Sequence, residues 1–456
     1  MKVIKFGGSS LTDQSAIAKT IEIIRQNAAE DPQLCVVVSA MGGVTDEILR
    51  IASAAAKQDP AYRERLASVH QRHITTLNAV AGDDKDTARV IEELCVEFFG
   101  ICDGVYALGE LSLKVLDRLM SFGELCSANM IAATCRKNGL TARFADSREL
   151  IVTDEHFGAA RVDFERTNES LRRLALTDGT VTILPGFVAR SVSGRVTTLG
   201  RNGSDYSAAI IGAGLGAVSV EIWTDVDGVL TANPRYVPSA SAISEMSYVE
   251  AMELSHFGAY VLHSPTLQPV MEKKIPLRVC NTFNPQFPGT IIRDTSVAGR
   301  VITGISTVDD VAFIRVQGSG MVGMFGVAGR LFTSLANARV NLIMISQGSS
   351  EHSICFAVQS GDADRALEAI LAEFEPEIAA HMMEKPVVEK DMCVLAVVGE
   401  NMRRQPGIAG RVFGALGTGG FNVVSIAQGS SELNISMVLR QQDAAGALNA
   451  IHGAFF

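Results

Sequence analysis

The stretch TTLGRNGSDYSAAIIGAGLGAVSVEIWTDVDGVLTANP, residues 197–234, decides the fold of this chain. It places Arg201, Ser204 and Asp205 on a glycine-flanked turn that leads into an apolar, alanine-rich helix. A short strand at 218–223 follows and ends in the acidic turn TDVDG at 224–228. The N-terminus of a helix favours anions, and open α/β sheets bind ligands at the carboxyl ends of their strands. The stretch therefore predicts a pocket for a zwitterionic or phosphorylated small molecule.

The first ten residues supply a matching partner for this pocket. Residues 3–6 are typical of a strand, and Gly7, Gly8, Ser9 and Ser10 then lead into a helix that starts near Asp13. Two glycines let the backbone approach a phosphate closely, and Lys5 adds a positive charge beside them. The Walker sequence is absent, so the predicted loop is a phosphate cradle of another kind.

Four segments together resemble aspartate kinase (aspartokinase), a family with the amino-acid kinase fold. They are KFGGSS at 5–10, SFGELCSA at 121–128, TTLGRNGSDYSAA at 197–209 and WTDVDGV at 223–229. Within that family the chain is most similar to the kinase half of the bifunctional aspartokinase–homoserine dehydrogenases. The sequence stops at Phe456, so we expect no dehydrogenase domain.

Composition excludes several classes of protein. The chain has 456 residues, 47% of them apolar and 20% charged, and a net charge of −10, which argues against nucleic-acid or anionic membrane partners. The eight cysteines are scattered through apolar runs without a C-x-x-C motif, which is typical of buried thiols in a reducing compartment. No signal peptide or membrane span is evident, so we expect a cytoplasmic enzyme.

The order of elements predicts an α/β fold. Strand-like runs at 3–6, 35–39, 180–184, 218–223 and 277–280 alternate with helical patterns such as 16–26 and 124–138. This alternation favours a mostly parallel sheet sandwiched by helices, with residues 47–120 as a helical insertion. GAGLGA at 212–217 follows a helix and precedes a strand, so we interpret it as a helix C-terminus and not as a dinucleotide-binding turn.

The last third of the chain is an internal repeat. GVAGRLF at 326–332 aligns with GIAGRVF at 407–413, and QGSSE at 347–351 aligns with QGSSE at 428–432, all at an offset of 81 residues. Each copy has the pattern of a small ferredoxin-like α+β unit. By resemblance these are ACT regulatory units, and strand exchange between them is expected. We predict a kinase domain at 1–298 and ACT units at 299–390 and 391–456.

The resemblance also assigns roles in the reaction. Lys5 would stabilise the transferring phosphoryl group, and we name Lys5, Gly8 and Asp205 as catalytic. Arg201 can grip a carboxylate through two hydrogen bonds, and Glu124 and Asp205 can accept an ammonium group. By resemblance Thr45 and Ser204 join this amino-acid pocket. From its own surroundings Glu124 is equally an ordinary acid at the N-terminus of a helix that begins after Gly123.

ATP and Mg²⁺ are the predicted cofactors. The residues assigned to the nucleotide are Lys5, Gly7, Gly8, Ser9, Ser39, Thr224, Asp225 and Arg235. No metal ligand stands out, and Mg²⁺ is expected to be held mainly by phosphates and waters. Tyr260 replaces the lysine that the family has at this position, and Leu230 replaces a common tyrosine. We expect His256 and His263 to be packed or surface residues.

The predicted effector pocket lies in the repeat, and its ligand is expected to be threonine, lysine or both. Its predicted residues are Met321, Gly323, Val340, Asn341, Gln347 and Gln428. The paired repeats also predict a homodimer or higher homo-oligomer through the ACT units.

Three functions compete at this stage. The first is a catalytic aspartate kinase that makes 4-phospho-L-aspartate under amino-acid feedback. The second is a non-catalytic ACT-based amino-acid sensor, for which Tyr260 is the main support. The third is a kinase of another carboxylate, such as glutamate.

Overall fold

The computed structural model describes residues 1–174, 176–258, 263–295, 300–321, 325–348 and 353–456. The strands are β1 (Lys2–Phe6), β2 (Leu34–Val38), β3 (Ala142–Phe144), β4 (Val152–Thr153), β5 (Val181–Pro185), β6 (Val188–Ser191), β7 (Val196–Thr198), β8 (Ser219–Thr224), β9 (Glu245–Ser247), β10 (Leu277–Asn281), β11 (Thr290–Arg293), β12 (Gly304–Gln317), β13 (Met344–Gln347), β14 (Ser353–Gln359), β15 (Val387–Val398), β16 (Ser425–Ala427) and β17 (Asn434–Arg440). The α-helices are α1 (Gln14–Glu30), α2 (Val44–Ala56), α3 (Tyr62–Ala81), α4 (Lys85–Leu108), α5 (Leu113–Lys137), α6 (Phe164–Arg172), α7 (Gly203–Leu215), α8 (Tyr248–His256), α9 (Ser264–Glu272), α10 (Val327–Asn337), α11 (Ala363–Glu373), α12 (Glu375–Ala379), α13 (Ile408–Thr418) and α14 (Ala444–Phe455). The chain divides into two compact units, residues 1–229 with 262–295 and residues 230–261 with 296–456.

The main sheet of the first unit is built on β1. Its strands run in the order β3-β5-β2-β1-β8-β10-β11, parallel as far as β10, with β11 antiparallel at β10. Strands β2 and β5 are buried at every residue, as expected of parallel strands covered on both faces. The five predicted strands are confirmed, and their carboxyl ends lie along one edge of the sheet.

The helical insertion is confirmed, because α2, α3, α4 and the first part of α5 cover most of residues 47–120. Helix α5, however, begins eleven residues before its predicted start, with Ser112 accepting a hydrogen bond from the Val115 N–H at its N-terminus. Gly123 and Glu124 therefore lie in mid-helix, and the prediction of a helix beginning after Gly123 is wrong. A Cβ at Gly123 would lie 2.7 Å from the Cβ of Ala40, so this glycine serves close packing.

Helix α7 carries the deciding stretch. Asn202 precedes it with φ 54°, and Gly216 ends it with φ 66°, both in the left-handed region. The GAGLGA segment is thus the C-terminal part of a helix, which confirms that interpretation.

The second unit contains the two copies of the repeat. Its six-stranded antiparallel sheet has the order β13-β14-β12-β15-β17-β16. The first copy orders its elements as β12, α10, β13, β14 and α11, and the second as β15, α13, β16, β17 and α14. Both therefore follow the predicted ferredoxin-like pattern. No helix in the described ranges is both long and apolar enough to cross a membrane.

The two copies share their long central strands. The N-terminal part of β12 packs Ile305 into one core together with Leu395 of β15 and Val412 of α13. The C-terminal part of β12 packs Ile314 into a second core together with Leu331 of α10. A register shift between Val308 and Val311 separates the two parts of β12. One half of β12 therefore belongs to one core, and the other half of the same strand belongs to the second core.

Gly123→Ala is expected to destabilise the first unit, although alanine is normally the better helix former. The added Cβ would lie 2.7 Å from Ala40 Cβ and 3.2 Å from Val44 Cγ1, so the loop between β2 and α2 must shift. We expect a loss of about 1–3 kcal/mol in the free energy of unfolding, as for overpacked cores. Gly100→Ala on α4 is the matched control, since its Cβ meets nothing within 4 Å. It should stabilise by about 0.5–1 kcal/mol, and equal effects of both changes in chemical denaturation would contradict the packing argument.

His73 predicts loss of stability in acid. Its ring is fully buried on α3, the Nδ1 atom lies 2.8 Å from the Val69 carbonyl oxygen, and Nε2 has no partner among the described residues. Burial lowers the pKa of His73 from 6.5 to about 4, so between these pH values the unfolded chain binds a proton that the folded chain does not. Acidification across this window should remove about 3 kcal/mol of stability. The melting temperature of His73→Phe should fall less than that of the wild type between pH 6.5 and 4.5, whereas exposed His156→Asn should follow the wild type.

Candidate functional site

The loops after β1, β2 and β8 are joined at the carboxyl edge of the main sheet. The Gly7 N–H donates to the Trp223 carbonyl oxygen at 3.0 Å, and the Ser39 N–H donates to the Phe6 carbonyl oxygen at 3.1 Å. The glycine loop therefore lies between the end of β8 and the loop that follows β2. This is the edge at which open α/β sheets bind ligands.

Gly7 and Gly8 line this edge without side chains. A Cβ at Gly7 would lie 3.4 Å from the Nζ atom of Lys5, and one at Gly8 would lie 3.2 Å from the Ala40 carbonyl oxygen. Ser9 remains half-buried, whereas the buried hydroxyl of Ser10 is 2.7 Å from the Thr282 hydroxyl. The loop can thus offer N–H groups to a phosphate, and Ser10 is committed to the structure.

Lys5 and Asp205 form the buried ion pair of the site. The Lys5 Nζ atom lies 2.5 Å from Asp205 Oδ1, and the two residues are 7% and 5% exposed. Asp205 stands in the first turn of α7, and Lys5 is the fourth residue of β1. Ser204 is also buried and packs on Gly186, where a Cβ would approach its own Cβ to 2.6 Å. The pair joins the centre of the sheet to the start of α7.

Glu124 adds a third ionisable side chain to the same pocket. It is 4% exposed, and its Oε2 atom accepts no hydrogen bond from the described residues. Burial raises the pKa of Glu124 to about 8, although the Ala40 N–H and the charge of Lys5 act in the opposite direction. A buried carboxyl oxygen without a donor at this edge has the chemistry to receive a cationic ligand group.

Arg201, which is exposed and precedes α7, lies near His263. Burial and the charge of Arg201 lower the pKa of His263, while Asp205 raises it, so the imidazole lies near both. His263 directly precedes α9 and is half-buried. Sequence reasoning missed its position, and its only signal was its place in the segment FGAYVLHSPT at 257–266. Thr45, in the first turn of α2, is half-buried.

The other side of the edge carries the residues predicted for the nucleotide. Thr224 ends β8, and its hydroxyl donates to Asp225 at 3.1 Å. The next carboxylate, Asp227, accepts hydrogen bonds from the side-chain amides of Asn281 at 2.8 Å and Asn284 at 3.0 Å. Asp227 therefore fixes the acidic turn, and Asp225 stays exposed.

The remaining predicted residues lie elsewhere. Arg235 belongs to the second unit and is exposed. Tyr260 and Gly323 lie outside the described residues, so their predicted roles stay predictions.

The predicted effector residues divide by burial. Met321 and Val340 pack in the core of the first copy, and their backbone N–H groups donate to the Gly318 and Leu335 carbonyl oxygens. Asn341, Gln347 and Gln428 are exposed. Strands β13 and β16 are in contact, because the Ser346 hydroxyl donates to the Ile426 carbonyl oxygen at 3.0 Å. Gln347 is the last residue of β13, and Gln428 directly follows β16.

Comparison with known proteins gives two family matches. Residues 1–281 match the amino acid kinase family, and residues 314–374 and 395–455 each match an ACT domain. The bifunctional aspartokinase/homoserine dehydrogenase 1 of Zea mays, a chloroplastic protein, is 38% identical over the whole of this chain and 50% of its own length. The chain thus spans about half the length of several curated relatives that it matches. Aspartokinase 1 of Arabidopsis thaliana, also chloroplastic, is 32% identical over the whole of this chain and 80% of its own length.

Solved structures agree with these matches. E. coli aspartokinase III in complex with aspartate and ADP, described as the R-state, has a TM-score of 0.83 at 26% identity, with both chains fully covered. The same enzyme in complex with lysine and aspartate, described as the T-state, has a TM-score of 0.80 at 27% identity, covering all of this chain and 99% of that one. With a kinase fold followed by two ACT units, the chain belongs to the aspartokinase family.

Proposed function

We propose that this protein catalyses the ATP-dependent phosphorylation of the β-carboxylate of L-aspartate, giving 4-phospho-L-aspartate and ADP. The observation that carries the proposal is the buried pair of Lys5 and Asp205, with buried Glu124 in the same pocket, at the edge that bears the glycine loop. The aspartate and ADP bound by E. coli aspartokinase III support the same substrates here. The reaction would be the first step of aspartate-family biosynthesis.

The pocket can hold a free amino acid by both of its α-groups. Arg201 would bind the α-carboxylate through two parallel hydrogen bonds, and Glu124 with Asp205 would receive the α-ammonium. Because burial holds the pKa of Glu124 at about 8, this carboxyl is mostly protonated at pH 7 before the ligand arrives. An incoming ammonium would favour its ionised form, so binding would release a proton. Thr45 and Ser204 would supply hydroxyl groups to the same ligand.

The chemistry needs positioning more than proton transfer. An oxygen of the aspartate β-carboxylate forms a bond to the γ-phosphorus of ATP, and the bond to the β-phosphate oxygen breaks, so that ADP leaves with the electron pair. The attacking carboxylate is already ionised. Lys5 lies against both Gly7 and Asp205, between the phosphate cradle and the amino-acid pocket, where its charge can stabilise the transferring group. Gly8 would present its N–H group to the same phosphoryl.

ATP fits the remaining residues of this edge. Gly7, Ser9 and Ser39 would contact its phosphates, and Thr224 and Asp225 its adenosine, while a phosphate contact by Arg235, which belongs to the second unit, stays a prediction from the sequence. Within the described ranges no three His, Cys, Asp or Glu side chains are grouped to ligate a metal. We propose that Mg²⁺ is held mainly by the phosphates and waters.

We further propose a reducing compartment, the cytoplasm, as the place of action. All eight cysteines are unpaired and seven of them are buried, which supports this setting.

The second unit is proposed to bind an amino-acid effector, threonine or lysine, and to inhibit the kinase. The lysine complex of E. coli aspartokinase III, described as the T-state, supports feedback of this kind. Gln347 and Gln428 carry exposed amides at equivalent positions of the two copies, next to the contact between β13 and β16. Asn341, Met321 and Val340 would complete the pocket, and the role of Gly323 stays a prediction from the sequence.

The second unit is also proposed to form a homodimer or larger homo-oligomer. Ile345 on β13 and Ile426 on β16 are 44% and 45% exposed on the outermost strands of its sheet, which supports association there. Light scattering of the purified chain measures this directly.

The activity is tested with ATP, Mg²⁺ and hydroxylamine, which traps the acyl phosphate as a hydroxamate. We expect turnover with L-aspartate and none with L-glutamate. Lys5→Met should lower kcat by about a hundredfold or more, because the charge on the transferring group is no longer neutralised. Lys2→Met is the matched control on the same strand, since Lys2 pairs with Glu221 and Asn27.

Turnover with glutamate alone would point to another carboxylate kinase. No turnover with either amino acid, together with a melting-temperature shift by threonine or lysine, would support the sensor and overturn the kinase.

Feedback is tested by titrating each aspartate-family amino acid into the hydroxamate assay. We expect inhibition by threonine or lysine, and Gln347→Ala should raise the half-inhibitory concentration about tenfold because a hydrogen bond to the buried ligand is lost. Gln428→Ala, the equivalent change in the other copy, reports whether both pockets contribute. Activity unchanged by every amino acid at millimolar concentration would exclude this regulation.

A further inference from the structure

Asp117 lies on α5 seven residues before Glu124 and takes no part in the chemistry described above. It is 2% exposed, and it accepts hydrogen bonds from Gly158, in the loop between β4 and α6, and from Thr198, the last residue of β7. The Gly158 N–H lies 3.0 and 3.1 Å from its two oxygens, the Thr198 N–H donates at 3.0 Å, and the Thr198 hydroxyl donates at 2.8 Å. Seven residues are close to two helical turns, so Asp117 and Glu124 share one face of α5 at a separation of about 10 Å.

These donors compensate the carboxylate in place of a cation. Burial raises the pKa of Asp117, and the hydrogen bonds from Gly158 and Thr198 lower it, with no charged side chain contributing. Removing the carboxylate from such a network leaves the buried N–H groups unpaired, and removing a donor leaves a carboxylate oxygen without that partner. The hydrogen bonds from these three donors therefore hold the Gly158 loop and the end of β7 on α5.

The loops that Asp117 holds lead to Arg201. Thr198 ends β7 three residues before Arg201, and its carbonyl oxygen accepts the Ala160 N–H at 2.9 Å. Gly200 has φ 75°, and a Cβ there would lie 3.2 Å from the Gly158 carbonyl oxygen. The loop that contains Gly158 thus packs directly on Gly200, the residue before Arg201.

We propose that Asp117 is the positioning residue that sets the separation between Arg201 and Glu124. This rests on the proposed function, in which Arg201 takes the α-carboxylate and Glu124 the α-ammonium of the amino acid. The two α-groups of an amino acid have a fixed separation, so a shift of the Arg201 turn relative to α5 weakens binding of the amino acid. Among the described residues the Asp117 side chain accepts hydrogen bonds from Gly158 and Thr198 and from neither the glycine loop nor the end of β8, so we expect nucleotide binding to be spared.

Asp117→Asn and Thr198→Val test this role, with the Michaelis constants for aspartate and ATP measured separately. Asp117→Asn keeps the shape of the side chain but places an amide N–H group, itself a donor, against the donors of Gly158 and Thr198. It should raise KM for aspartate about tenfold. Thr198→Val removes only the hydroxyl donor and should raise it about threefold, while Thr198→Ser restores the wild-type value. KM for ATP should stay within about twofold of the wild type throughout.

Ser112→Ala is the matched control for stability alone, because Ser112 caps the N-terminus of the same helix. It should lower the melting temperature without changing KM for aspartate. Wild-type KM in Thr198→Val and in folded Asp117→Asn, or equal rises in both Michaelis constants, would overturn the positioning role. Absence of aspartate turnover in the wild type itself would instead reject the proposed function, so the two failures are distinguishable.

Discussion

The ion pair between Lys5 and Asp205 is the constraint on which the site depends. Two opposite charges that are almost fully buried are costly to desolvate, and their direct contact offsets part of that cost. The contact requires β1 at the centre of the sheet and the first turn of α7 directly beside its end. The left-handed residue Asn202 turns the chain into that helix, and Gly186 leaves the space that Ser204 fills. The fold around the pocket thus holds these two charges in contact.

Glu124 and Asp205 differ in their surroundings, although both are buried carboxyl groups in one pocket. Asp205 has its cation in place, whereas Glu124 has an oxygen without a donor and a pKa raised to about 8. One carboxyl is therefore in contact with a cation of the protein, whereas the other is available to a cationic group of a ligand. A buried carboxyl group with a raised pKa beside a buried ion pair is characteristic of sites that bind or transform charged substrates.

The sequence predicted the parts of this site better than their assembly. Strand periodicity and the glycine turns located β1, β8 and α7, because local patterns determine those elements. The start of α5 was misplaced, since Gly123 resembles a helix boundary and is instead required by the approach of Ala40. His263 and Asp117 were missed because their roles depend on Arg201, Asp205, Gly158 and Thr198, which are distant in sequence. Tertiary contacts of this kind leave no periodic signal in a single sequence.

The same limit applies to the repeat, whose duplication is visible in the sequence, whereas strand exchange between the copies was expected only from the resemblance to aspartokinases. Ile305 and Ile314 lie on one strand yet belong to different cores, and β15 contributes to both cores in the same way. A movement of β12 at one end must therefore disturb packing at the other, because close-packed cores do not deform independently. An effector bound by one copy would be felt by both. The shared strands therefore make the two copies one regulatory unit in mechanical terms, although the sequence presents them as two.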